Sequence, residues 1–151
     1  MNDPIRVLFL CTHNSARSQI AEALLHHLGG EDFAAFSAGT EVTGVHPLAL
    51  AVLHESGIAT EGLRSKHLRE FAGQQFHVVV TVCDRARDAC PLFPGAATQL
   101  HWSFPDPSAV EGTDEERLHA FRSVREGLTV RLIPFIAAQR EKRQTITPQS
   151  G

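Results

Sequence analysis

FLCTHNSARSQIAEALL, residues 9–25, decides the fold. It closes an apolar run that begins at Ile5 (IRVLFL, residues 5–10), and such a nearly continuous run is the mark of a strand covered on both faces of a parallel sheet. Cys11 follows at once, then Thr12, His13, Asn14, Ser15, Ala16 and Arg17, all but the last small or polar. From Ser18 the pattern changes period. Ile20, Leu24 and Leu28 recur at four-residue steps until Gly29-Gly30 stops them, which predicts a helix of about three turns. The stretch is therefore strand, loop, helix, with a cysteine on the loop.

Outward from there the alternation continues. FAAFSA (33–38) reads as a second strand ended by Gly39, and PLALAVLHE (47–55) as a helix begun by proline and closed before Gly57. Residues 65–73 read as a short helix, HVVVTV (77–82) as the most β-branched strand, and TQLHW (98–102) as a last strand. Thr113 and Glu116 form a capping-box pair ahead of Leu118, Phe121, Val124, Leu128 and Leu132, the longest helix. Pro134 is expected to kink or stop it, and the chain from Arg140 to read as a solvated tail. Alternating strands and helices imply an α/β parallel sheet with helices on both faces. Ligands bind such sheets at the carboxyl ends of the strands, near the switch point. Cys11, Cys83 and Asp106 all follow strands, so all three are expected at one crevice.

Composition narrows the class. The chain has 151 residues, enough for one domain, with 42% hydrophobic residues, 21% charged residues and a net charge of −3. That balance excludes a basic face for nucleic acid, and no apolar run approaches the roughly 20 residues of a membrane span. The N-terminus carries Asp3 where a secretory signal has positive charge, so a cytoplasmic location is expected. Thiols there stay reduced, and three cysteines fit no static disulfide framework.

The spacing Cys11-x5-Arg17 between a strand end and a helix start is what an oxyanion cradle needs. Backbone N–H groups of residues 12–18 can turn inward as a nest, the helix dipole adds to their potential, and Arg17 can supply a bidentate clamp. The same field favours the Cys11 thiolate, to which Ser18 is placed to donate while capping the helix. In isolation the spacing would equally suit a buried apolar cysteine and a surface arginine. Asp106, held between Pro105 and Pro107 in FPDPS, suits a general acid on a stiff loop, or else an Asx-turn residue. CDRARDACP sets Cys83 and Cys90 seven residues apart, a poor zinc spacing, and the nine histidines lack a metal-binding pattern, so no metal is expected. Asp84 to Ala89 reads as a short capped helix, with Arg85 and Arg87 on a solvated face. Two thiols beside a third at an anion site point to electron transfer, since a phosphatase needs only one.

CTHNSARSQIAEALL, FSAG, VVVTVCDRARDACP and HWSFPDPS together resemble the arsenate reductases of the low-molecular-weight protein tyrosine phosphatase fold, the class coupled to thioredoxin. The resemblance implies a single domain over residues 1–140, a four-stranded parallel sheet in flavodoxin-like order, and a polar tail at 141–151. It implies that Cys11 attacks arsenate held by the loop and Arg17, with Asp106 as acid. Cys83 then attacks Cys11 and releases arsenite, and Cys90 attacks Cys83. Thioredoxin reduces the final disulfide, with reducing equivalents from NADPH through thioredoxin reductase. No bound cofactor is implied, the chain is expected to be monomeric, and weak phosphatase activity is expected beside the main one.

Three positions depart from the family: His13 where glycine is common, Ala16 where many relatives carry another cysteine, and Pro105 in place of an acidic residue. Members that hold a monovalent cation beside the loop use groups matching Asn14, Glu22 and Ser37, with an acidic residue where this chain has Lys66. Its ammonium is expected to take the ion's place, pair with Glu22 and fix Asn14, an exposed lysine being the plain alternative. A phosphotyrosine phosphatase and an oxyanion-binding redox sensor are the rival readings. The absence of tyrosine and the Ser108-Ala109 pair after Asp106-Pro107, where phosphatases carry aromatics, weigh against the first.

Overall fold

A computed structural model describes residues 3–84 and 90–146. Four strands, β1 (Ile5–Leu10), β2 (Phe33–Ala38), β3 (Phe76–Thr81) and β4 (Ala96–His101), form one sheet in the order β2-β1-β3-β4. Every pairing is parallel. β1 is central and fully apolar after Arg6, as its sequence requires. The chain leaves β1 to one side for β2 and then returns to the other side for β3, so the switch point lies between β1 and β3. There Leu10 pairs with Thr81, and the Val82 amide donates to the Leu10 carbonyl at 2.9 Å. The segments carrying Cys11 and Cys83 thus start side by side.

Three helices, α1 (Arg17–Gly29), α2 (Pro47–Glu55) and α3 (Asp114–Ile146), pack on the sheet face that presents Val7, Phe9, Val78 and Val80. The opposite face presents Leu8, Leu10 and Val79. Among the described residues its cover is a 3-10 helix (Leu68–Phe71), shorter than the helix read over 65–73, and a set of phenylalanines. Phe36, Phe71, Phe76 and Phe93 meet edge to face with centroids 5.5 to 5.7 Å apart, the arrangement aromatic quadrupoles favour.

The capping box opens α3 as read: the Thr113 amide donates to Glu116 Oε1 and the Glu116 amide to Thr113 Oγ1, both at 3.1 Å. Pro134, however, neither stops the helix nor leaves the chain from Arg140 as a solvated tail. Leu128, Leu132, Phe135 and Ile136 carry the apolar stripe past the proline into the core, and Arg140 and Arg143 both pair with Asp32. Burial of that stripe, at roughly 1.5–3 kcal/mol per large side chain, outweighs the ~3 kcal/mol that an internal proline costs.

Candidate active site

The loop after β1 is held open by its own carbonyls. Thr12 O accepts from the Thr40 and Glu41 amides at 2.9 Å, His13 O from Ser65 Oγ at 3.2 Å, Asn14 O from Gln19 Nε2 at 3.0 Å and Ser15 O from the His46 amide at 2.9 Å. All five partner residues lie outside the loop. A trans peptide sets N–H against C=O, so carbonyls drawn outward turn the N–H groups of the same units toward the loop's interior. No side chain caps α1, because Ala16 stands at its N-cap, and the positive helix end also faces the loop. Ser18, expected to cap, lies inside the first turn instead. Gly39 makes the closest approach behind the loop: a Cβ there would stand 2.6 Å from Thr12 O and 2.7 Å from Cys11 O. That is the steric reason for the glycine of FSAG.

Asn14 takes the single positive φ among the described non-glycine residues, 50°. His13, which replaces a common glycine, needs no such conformation, and its Nε2 lies 3.0 Å from Glu41 Oε2. Asn14 is positioned from three sides. Its Oδ1 accepts from the Lys66 amide at 2.8 Å and Gln19 Nε2 at 2.9 Å, which fixes its amide so that Nδ2 donates to Ser18 Oγ at 2.7 Å. Ser18 Oγ lies 2.9 Å from Cys11 Sγ. The Ser18 hydroxyl keeps its proton and a second lone pair, so it can donate to a Cys11 thiolate or accept from the thiol. Cys11 is buried with that hydroxyl against its sulfur.

Arg17 is 3% exposed, and its Nη1 donates to Phe104 O at 2.9 Å. That bond ties the anion loop to the FPDPS segment. Asp106, half-buried there, accepts on Oδ1 from the Ser108 amide (2.9 Å) and Ser108 Oγ (2.7 Å), so it caps the 3-10 turn Pro107–Ala109. The turn-forming alternative is therefore realised, with Oδ2 the remaining oxygen for chemistry. His46 stands between the two loops. Its Nδ1 accepts from the Leu48 amide at 3.1 Å as the cap of α2, which requires an unprotonated Nδ1, and its ring lies 4.6 Å from that of Phe121. Burial pushes its pKa down, helped by Arg117 and opposed by Asp106.

Beside the loop, Lys66 is 7% exposed. Its ammonium donates to Arg64 O at 2.7 Å and lies 3.5 Å from Glu22 Oε1, which accepts from Ser37 Oγ at 2.6 Å. Asn14 is held by the Lys66 backbone amide rather than by the ammonium. Desolvation lowers the Lys66 pKa, with Glu22 opposing. Sequence reasoning passed over Gln19, which is fully buried and donates to Asn14 and Arg64 O, while its Oε1 has no partner among the described residues. A glutamine on the inward face of an otherwise apolar helix start was the available signal.

Cys83 and Cys90 are joined in a disulfide, with Cα atoms 6.0 Å apart. Cys83 has no exposed surface, whereas Cys90 is half-buried. The helix read at 84–89, with Arg85 and Arg87, falls on residues 85–89, outside the described residues. Among the described residues no three His, Cys, Asp or Glu side chains group as metal ligands, and no helix is long and apolar enough to cross a membrane.

The sheet order, the loop at its switch point and the buried thiol on that loop define a cysteine-loop α/β protein. The chain belongs to the low molecular weight phosphotyrosine protein phosphatase family, whose model matches residues 6–145. It is 40% identical over 129 residues to the arsenate reductase of Halalkalibacterium halodurans, covering 85% of this chain and 93% of that one. A solved arsenate reductase in the phosphate binding state is similar with a TM-score of 0.72 and 31% identity, over 89% of this chain and 98% of that one. A thioredoxin-dependent arsenate reductase from Corynebacterium glutamicum is similar with a TM-score of 0.65 and 30% identity, over 92% of this chain and 65% of that one.

Proposed function

We propose that this chain reduces arsenate to arsenite by a relay of its three cysteines, with thioredoxin as reductant, in arsenic detoxification. The observation that carries the reading is their placement: one thiol on the anion loop after β1, and the other two bonded to each other after the neighbouring β3. The Cys11 thiolate attacks arsenic, and Asp106 gives its proton to the departing oxygen. Cys83 then attacks Cys11 Sγ. The arsenic–sulfur bond breaks with its electron pair on arsenic, arsenite leaves, and a Cys11–Cys83 disulfide remains. Cys90 attacks Cys83, and Cys11 departs as the thiolate that Ser18 stabilises. Thioredoxin supplies two electrons to the Cys83–Cys90 bond and is itself oxidised; NADPH restores it through thioredoxin reductase.

Arg17 clamps the oxyanion while tying the acid loop to the cradle, and Thr12, His13, Asn14, Ser15, Ala16 and Ser18 line that cradle. The net charge of −3 and the absence of a membrane-spanning helix among the described residues fit a monomer working in the cytoplasm without nucleic acid or lipid. The test is NADPH consumption by the chain with thioredoxin reductase and thioredoxin, started by arsenate. The expected outcome is one NADPH oxidised per arsenite formed. Hydrolysis of an aryl phosphate without arsenate-dependent NADPH consumption makes the chain a phosphatase instead.

A further inference from the structure

Cys90, the half-buried partner in the disulfide, borders the sheet face that carries no α-helix among the described residues. A cavity of about 550 Å³ there is lined by Cys90, Leu92, Phe93, Thr81 and His101. A second, of about 480 Å³, lies between the Leu68 turn and the 92–95 segment, and Leu92 and Phe93 line it too. Leu92 stands between the two cavities with 82% of its surface exposed, more than any other large hydrophobic side chain of the described residues. Its exposure is built in. Phe93 next to it is buried, with its ring 5.5 Å from that of Phe76 and its carbonyl accepting from Gln99 Nε2 at 2.9 Å. Pro91 and Pro94 stiffen the backbone on either side.

We infer that Leu92 is the apolar anchor on which the protein dithiol docks to reduce the Cys83–Cys90 bond, an inference that rests on the thioredoxin step proposed above. Cys83 has no exposed surface, so the incoming thiolate must form its bond to Cys90 Sγ, expelling Cys83 as a thiolate. The reductant's second thiol then displaces Cys90. The two thiol protons of the reductant end on Cys83 and Cys90, and the reductant leaves as a disulfide. Two residues of chain span at most about 7 Å. An ordinary protein footprint of roughly 800 Å² has a radius near 16 Å, so any protein that reaches Cys90 covers Leu92. A large apolar side chain held out between two hollows inside that footprint passes from water into the contact when the partner docks, which favours docking.

The experiment compares the wild type with Leu92→Ser and Leu92→Glu, whose exposed position leaves folding intact, as equal melting temperatures will verify. Three rates are read: turnover against thioredoxin concentration, reduction of the isolated disulfide by dithiothreitol, and single-turnover arsenite formation by pre-reduced protein. The expected result is a KM for thioredoxin raised about 10-fold or more, most by the charge, with the other two rates unchanged. A thioredoxin KM within about twofold of wild type in both variants removes the docking surface, and an equal loss with dithiothreitol shows that Leu92 acts on the disulfide itself and also overturns it. If thioredoxin fails to turn over even the wild type, the proposed reductant is wrong and the anchor falls with it, which distinguishes the two failures.

Discussion

The serine hydroxyl between Asn14 and Cys11 is the smallest unit on which the chemistry depends. Because the Asn14 amide is oriented by Lys66 N and Gln19 Nε2, its Nδ2 donates to Ser18 Oγ, which lies 2.9 Å from the sulfur with its own proton available to a thiolate there. A hydrogen bond to a charged group is worth about 1.5–3 kcal/mol. Ser18→Ala is therefore expected to slow single-turnover arsenite formation by pre-reduced protein about 10-fold or more. An unchanged rate would mean that the loop amides alone serve the sulfur. Cys11→Ser is expected to abolish turnover, and Asp106→Asn to slow it about 100-fold or more while arsenate binding by calorimetry persists. At Lys66, an ammonium within 3.5 Å of Glu22 leads to the expectation that exchanging sodium for potassium at fixed ionic strength leaves activity and melting temperature unchanged. A potassium-specific gain contradicts it. The loop residues were legible in sequence because Cys11-x5-Arg17 encodes them locally. Gln19 and His46 were not, since Gln19 reaches Arg64, 45 residues away, and His46 packs on Phe121 of α3, contacts that no local pattern encodes.

At the scale of elements, α2 and α3 are joined by charge as well as by core. Glu55 accepts from Arg122 and Arg125, and the Arg122 guanidinium foremost holds its pKa down from 4.5 to about 2. A carboxylate with a folded pKa below its unfolded one stabilises fully above the unfolded value, and that contribution is lost as pH falls through the folded one. The melting temperature is thus expected to drop between about pH 5 and pH 2, and Glu55→Gln to melt lower at neutral pH with a shallower acid slope. Equal slopes in calorimetry would show that the pairing contributes nothing. Helix α3 also marks where local reading fails. Pro134 is a strong local signal, but the buried faces of Leu132, Phe135 and Ile136 and the Asp32 pairings are long-range and carry the helix through it. For the segment between the paired cysteines, a helix would hold the two Cα atoms roughly 10.5 Å apart, against 6.0 Å in the disulfide. Amide exchange over residues 84–90 is expected to slow on reduction, and equal protection in both redox forms would deny the segment a switching role.

In the whole molecule, the sheet order brings the chemistry together. Cys11 and Cys83 are 72 residues apart in sequence, yet the β1–β3 pairing sets their strand ends side by side at the switch point. The strands themselves were legible to within two residues from apolar runs, whereas their order came from resemblance, since nothing in a buried strand names its neighbour. The aromatic cluster on the second face was not legible, because Phe36, Phe71, Phe76 and Phe93 pack from strands, a turn and a loop without any helical period. That arrangement leaves Cys90 near a face without α-helices among the described residues. The relay from the anion loop to that face is the central claim, and trapping its first disulfide tests it most directly. Reduced Cys90→Ser protein, treated with arsenate, alkylated and digested for mass spectrometry, is predicted to carry one Cys11–Cys83 disulfide for each arsenite released; arsenite formed while Cys11 and Cys83 both remain open to alkylation would contradict the account.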